Sequence, residues 1–175
     1  MFLEIGSRGG PMPTSVMPIQ SLLALHAPER LADAAEAAPL SLRVLSPART
    51  LIEKLVLLHN AHCGDDSAVA IKGARHFYDA HQLLGRVEII GAVADAGVAI
   101  MARDVCTYSE AAQMAAQPRP AGGFAVSPAF GGGKHLGVVR QEYERRVLGH
   151  LLWSGAERPS FDDCIESVHH HRDRL

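Results

Sequence analysis

The stretch Ser46-Pro47-Ala48-Arg49-Thr50-Leu51-Ile52-Glu53-Lys54-Leu55-Val56-Leu57-Leu58-His59 decides how this chain is read. Ser46 is placed to accept a hydrogen bond from a free first-turn amide, and Pro47 stands at the first helical position, where its missing N–H costs nothing. Leu51, Leu55 and Leu58 recur at helical spacing and should face a core. Thr50, Glu53, Lys54 and Leu57 fall on a neighbouring strip, so one edge of an apolar helix carries a hydroxyl, an anion and a cation. A second helix is expected from Ile71, reading Ile71-Lys72-Gly73-Ala74-Arg75-His76-Phe77-Tyr78-Asp79-Ala80-His81-Gln82-Leu83-Leu84. Arg75 and Asp79 are one turn apart on it, with Lys72 and Gln82 on the same face. Taken singly, a Lys or an Asp in such helices reads as a solvated charge at the edge of a core.

At 175 residues, 47% apolar and 21% charged, the chain is long enough for one domain with a core, and equally for a piece of a larger protein. A net charge of −2 with neutral histidines offers no broad basic field, so a nucleic-acid substrate would need a local patch. Cys63, Cys106 and Cys164 are far apart, odd in number and without metal-ligand spacing, which implies a reducing cytoplasm and no disulfide framework. No apolar run approaches the roughly 20 residues that span a bilayer. A signal peptide is not expected either.

Residues 1–10 begin inside an apolar β-like run, Met-Phe-Leu-Glu-Ile, so the start reads as cut. On such a strand Glu4 points opposite Leu3 and Ile5. Gly6-Ser7 is a turn, because no Asp-x-Asp follows at the spacing a nucleotide-binding motif requires. Residues 14–25 suggest a strand, alone or followed by a short helix, and 28–38 an Ala-rich helix with Asp33 and Glu36 facing solvent. Leu40 to Leu45 alternates as a last strand. Beyond Ser46 the chain reads as helical. Asp65 and Asp66 belong to a turn and face water. Helices are expected over 86–96, with Val87, Ile90 and Val93 or Ala94 inward, and over 98–116, with Ile100, Met101, Val105, Tyr108 and Ala112 at core spacing.

The Pro- and Gly-rich segment 117–133 reads as a mobile loop or hinge. A long amphipathic helix follows over 134–153, with Leu136, Val139, Tyr143, Val147 and Leu151 in one stripe. Ser160 and Asp163 make a capping-box start to the last helix. His169, His170 and His171 diverge by about 100° each on a helix and cannot share one metal. They suit the negative end of the helix dipole instead.

The phrase L-S-P-x-R-T-L-x-E-K-L-x-x-L-H, followed by R-H-F-Y-D-x-x-x-L-L and by E-Y-E ahead of P-S-F-D-D, resembles the C-terminal half of the AbiEii-type nucleotidyltransferase toxins of abortive-infection and type IV toxin–antitoxin systems. The resemblance implies an α+β fold, with the last strands of a nucleotidyltransferase mixed sheet in residues 1–45 and a mainly helical domain in 46–175. It also implies metal-dependent transfer of NMP from an NTP to an RNA or protein acceptor, with an antitoxin as partner. Carried over residue by residue, Lys54 faces the triphosphate, Thr50 supplies the motif's hydroxyl, Asp79 orients or activates the acceptor and Arg75 holds Asp79 ionised. Glu4 matches an acidic strand residue near a Mg²⁺ site.

The chain departs from the family in one respect: no Gly-Ser followed by Asp-x-Asp occurs in it, so the principal metal ligands are missing. A truncated and weakly active or inactive protein is one expectation. A noncatalytic helical module that binds an antitoxin, or a second copy through an open sheet edge, is the alternative.

Overall fold

The computed structural model describes residue 10 and residues 12–31, 34–114 and 116–175. The expected strand around Glu4, the Gly6-Ser7 turn and Asp33 lie outside the described residues, as does the side chain of Glu36. The fold is α+β, helical for the most part with one two-stranded antiparallel sheet. Two compact units divide the chain, one spanning Pro11–Ser46 and the other built on Pro47–Leu175.

In the smaller unit, β1 (Thr14–Ile19) pairs with β2 (Leu40–Leu45) in a register running from Thr14 opposite Leu45 to Ile19 opposite Leu40. Cross-strand partners share a face, so Met17 and Ile19 stand with Leu42 and Leu40. All four are exposed. A short helix α1 (Leu22–His26) follows β1, its first turn closed by the Ser21 hydroxyl accepting from the Ala24 amide at 3.1 Å. The expected Ala-rich helix over 28–38 is instead two 3₁₀ turns, Pro28–Arg30 and Ala35–Ala37. So short a segment cannot repay helix nucleation without an apolar face to bury, and among the side chains described in the two turns none is buried to anchor it.

The larger unit is organised around α2 (Pro47–Cys63), which begins at the proline and keeps its apolar stripe buried through Leu51, Ile52, Leu55, Val56 and Leu58. Asp66 then caps α3 (Ser67–Lys72) by accepting from the Ala68 amide at 2.8 Å. Asp65 pairs with Lys134. The helix expected from Ile71 is broken: α3 stops at Lys72 and α4 (Arg75–Leu84) starts after a corner. At that corner the Gly73 amide reaches back to Ala70 O at 3.0 Å and Val69 O at 3.3 Å, tightening the last turn where glycine least favours continued helix. Lys72 therefore does not continue the helical face of Arg75.

Phe77 of α4 holds the aromatic core, 5.6 Å from the Phe130 ring and 4.7 Å from Phe161. Helix α5 (Val87–Ala96) buries Ile89, Ile90 and Val93, while Val87, expected inward, stands outside the core at the helix start. Helix α6 (Val98–Ala111) buries Met101, Ala102, Val105, Cys106 and Ser109. The expected members Ile100, Tyr108 and Ala112 are exposed, because the contact with α2 rotates the stripe by one residue. The helix ends five residues short of expectation, and Gln113 takes a positive φ of 58° just beyond it.

Segment 117–133 is packed, which corrects the expected mobile loop or hinge. Phe124, Ala125, Ala129 and Phe130 are core residues, and Ser127 Oγ bonds the buried His59 Nδ1 at 2.9 Å. Gly133 is needed there, since a Cβ would lie 2.3 Å from the Pro128 carbonyl oxygen. The long amphipathic helix divides into α7 (Leu136–Glu142) and a nine-residue π-helix, Tyr143–Leu151. The wider winding keeps Tyr143 and Val147 buried and carries Leu151 out to solvent. Helix α8 (Phe161–His170) starts on the Ser160–Asp163 capping box.

All three cysteines are free: Cys63 is exposed at the end of α2, and Cys106 and Cys164 are buried. Burial pushes the Cys164 thiol up to about 11, beside the Tyr143 hydroxyl at 3.2 Å.

Candidate functional site

Helices α2 and α4 pack side by side, and their polar edges meet at Lys54, His76 and Asp79. Lys54 Nζ lies 2.9 Å from Asp79 Oδ2 and 3.1 Å from His76 Nδ1, and His76 Nδ1 is itself 3.1 Å from Asp79 Oδ2. The three atoms form a closed triangle. His76 Nδ1 has one role at a time: protonated, it donates to Asp79; bare, it accepts from Lys54. The Lys54 side chain is 23% exposed and that of Asp79 37%, so both groups meet solvent from a half-buried position.

Burial works to raise the Asp79 carboxyl. Hydrogen bonds from His76 and Lys54, with the charge of Lys54, outweigh it and hold the group below its ordinary range. An ion pair this exposed contributes about 1 kcal/mol or less to stability. What it supplies is a cation and a carboxylate kept side by side without being sealed from a ligand.

One turn before Lys54 the same helix carries a different arrangement. Arg49 is 1% exposed, its Nε bonding Glu53 Oε1 at 3.1 Å and its Nη1 bonding Asp104 Oδ2 of α6. Burial raises the Glu53 carboxyl, opposed by the hydrogen bond and charge of Arg49 and by Lys54. This clasp fastens α2 to α6. Thr50 lies between the two systems, half-buried on the strip that leads to Lys54.

Arg75 is exposed and makes no ion pair with Asp79 among the described residues; His76 and Lys54 occupy that place. It lines a separate cavity with Lys72 and Arg146. Sequence reasoning quoted His76 but gave it no task. Its signal was the three-residue spacing to Asp79, which puts both side chains on one helix face.

Glu4 lies outside the described residues. Among those described, no group of three or more His, Cys, Asp or Glu is placed to hold a metal ion. Asp79, a single carboxylate already bonded to Lys54 and His76, does not fit the octahedral oxygen shell of Mg²⁺. Nor is any described helix long and apolar enough to cross a membrane.

A larger cavity, about 550 Å³, opens at the far end of α4 around His81, Ser167 and His171. His81 Nδ1 is 2.6 Å from Ser167 Oγ there, yet the Ser167 hydroxyl donates to Asp163 O at 2.8 Å. The imidazole is therefore the donor, and the serine is not set up as a nucleophile.

A family model described as "Nucleotidyl transferase AbiEii toxin, Type IV TA system" matches residues 1–146. No curated protein and no solved structure matches the chain.

Proposed function

Because the chain belongs to the AbiEii nucleotidyl transferase toxin family of type IV toxin–antitoxin systems, we propose that the Lys54–His76–Asp79 triangle is one wall of a site for NMP transfer from an NTP to an acceptor. The observation that carries this reading is the 2.9 Å pair itself, formed between two helices and left partly open to solvent. A triphosphate brings several negative charges and competes with one carboxylate for Lys54. Thr50, on the strip leading to Lys54, supplies a hydroxyl donor toward the same phosphates.

When Lys54 turns to the triphosphate, Asp79 loses the hydrogen bond and charge of Lys54, and burial, which raises its carboxyl, is opposed by His76 alone. Asp79 thus becomes a better proton acceptor when the nucleotide is in place. His76 is a positioning residue that keeps the carboxylate aimed while Lys54 is engaged. In the transfer, the acceptor oxygen forms a bond to the α-phosphorus as the bond to the β-phosphate oxygen breaks. Pyrophosphate leaves, and the acceptor's proton passes to Asp79.

The family resemblance implies Mg²⁺, but the described residues do not supply its shell, so no step is assigned to it. Family membership also implies an antitoxin partner, and the cytoplasm is the compartment this reading requires.

Substituting Lys54→Ala tests the reading. Equilibrium binding of an NTP should weaken at least tenfold while the melting temperature stays within a few degrees. Unchanged NTP binding would remove Lys54 from the site.

A second reading, a noncatalytic module that binds an antitoxin or another copy of the chain, is favoured by the apolar sheet face of Met17, Ile19, Leu40 and Leu42. Sedimentation of the pure chain, alone and with its antitoxin, decides whether that face is a contact surface.

A further inference from the structure

At the start of α4, Arg75, one turn before Asp79, borders a cavity of about 270 Å³. Lys72 and Arg75 line one side, Glu142 and Arg146 the other, and Val147 and Leu151 of the π-helix add an apolar wall. Three cations face one anion across this space. The anion is already committed, for Glu142 is bonded by Arg145 at 2.6 Å and lies 3.7 Å from Arg146. Lys72 and Arg75 are exposed and form no ion pair among the described residues. On a chain whose net charge is −2, this is a local reversal of sign: Glu142 answers Arg146, and Lys72 and Arg75 are left without a carboxylate partner among the described residues. A phosphate-bearing ligand is what such a lining holds.

A second feature lies next to it in the chain. Trp153, the single tryptophan, follows Leu151 by two residues, so their Cα atoms are at most about 7 Å apart. It is 73% exposed, a large aromatic face with no core to cover it. Cations that track phosphates beside an exposed aromatic ring are the two components of a single-strand nucleic-acid site. A strand repeats phosphate and base, so it engages several cations and the ring together, whereas the charge of a single triphosphate is answered in the proposed site by Lys54 of α2, beside Asp79.

We propose that this groove binds a single nucleic-acid strand, with phosphates against Lys72, Arg75 and Arg146 and a base stacked on Trp153. The groove then leads the 3′ or 5′ end of an acceptor strand along α4 to Asp79. Only that acceptor role rests on the transferase reading; strand binding does not.

The test is fluorescence anisotropy of an end-labelled oligouridylate RNA titrated with the full chain at several KCl concentrations, with the same-length oligothymidylate DNA alongside. Saturable binding is expected, with log K falling against log[KCl] at a slope of about −2 for three phosphate contacts. Lys72→Ala and Arg146→Ala should each lessen that slope by about 0.7, and Trp153→Ala should weaken binding about tenfold at every salt concentration. Lys54→Ala should bind the strand as the wild type does, which separates this result from any failure of NTP binding.

Preference for RNA over DNA names the strand; equal binding still supports the groove. Absence of saturable binding at low salt overturns the proposal. So does an unchanged slope in both cation variants, or displacement of the strand by inorganic triphosphate, which would give the cavity to the nucleotide instead.

Discussion

Arg49 and Lys54 stand on one helix, each paired with a carboxylate from another, and the two pairs have opposite uses. Arg49 is sealed at 1% exposure between Glu53 and Asp104, whereas Lys54 keeps 23% exposure beside Asp79 and His76. Sealing makes the first an interhelical fastening, because a guanidinium removed from water has to keep every partner it has. Openness makes the second available to a ligand. The difference teaches that charge pairing on its own does not mark a site; what marks it is a pair that a competing ligand is able to reach.

The comparison breaks if the two cations respond alike to removal. Arg49→Ala should cost about 3 kcal/mol in chemical denaturation, since Glu53 and Asp104 lose their shared partner. A loss below about 1 kcal/mol would make the clasp an ordinary surface pair. For Lys54→Ala the same denaturation curve should move by about 1 kcal/mol or less, the large change appearing in NTP affinity.

Acid titration sharpens the contrast, because the two carboxylates are displaced in opposite directions. Asp79 lies below its ordinary 3.8 in the fold, so its contribution to stability is present above that value and is lost as pH falls through the folded one. Glu53 is raised above its ordinary 4.5, so its contribution is present below 4.5 and is lost as pH rises through its folded value. Melting temperatures measured from acid to neutral pH should therefore diverge. Asp79→Asn should remove part of the acid-side fall, and Glu53→Gln should flatten the decline above 4.5. Both variants falling in the same window would contradict the assignment.

The smallest effect expected is that of His76→Ala. The Asp79 carboxyl, followed by NMR, should titrate upward for want of one hydrogen bond, with little change in overall stability.

Features that depend on neighbouring residues were legible in the sequence. Pro47 opened α2, Leu51, Leu55 and Leu58 faced the core, and Ser160 with Asp163 closed the start of α8, all from signals within a few positions. Features set by distant contacts were not. The Gly- and Pro-rich run 117–133 looks mobile in isolation, yet Phe124 is buried in the core and Phe130 packs against the Phe77 ring of α4. The stripe of α6 turns by one residue because α2 fixes its angle, and the π-winding after Glu142 has no local announcement. In the candidate site, residue identities were visible, whereas the triangle with His76 is a product of α2 lying against α4.

Desolvation raises all three thiols, but Cys63 is the one at the surface, while Cys106 and Cys164 are buried. A maleimide dye should therefore attach at a single position without any cysteine being replaced. With Trp153 as the only indole, the native chain carries its own energy-transfer pair, and a ligand that reorders the π-helix end becomes measurable as a change in distance.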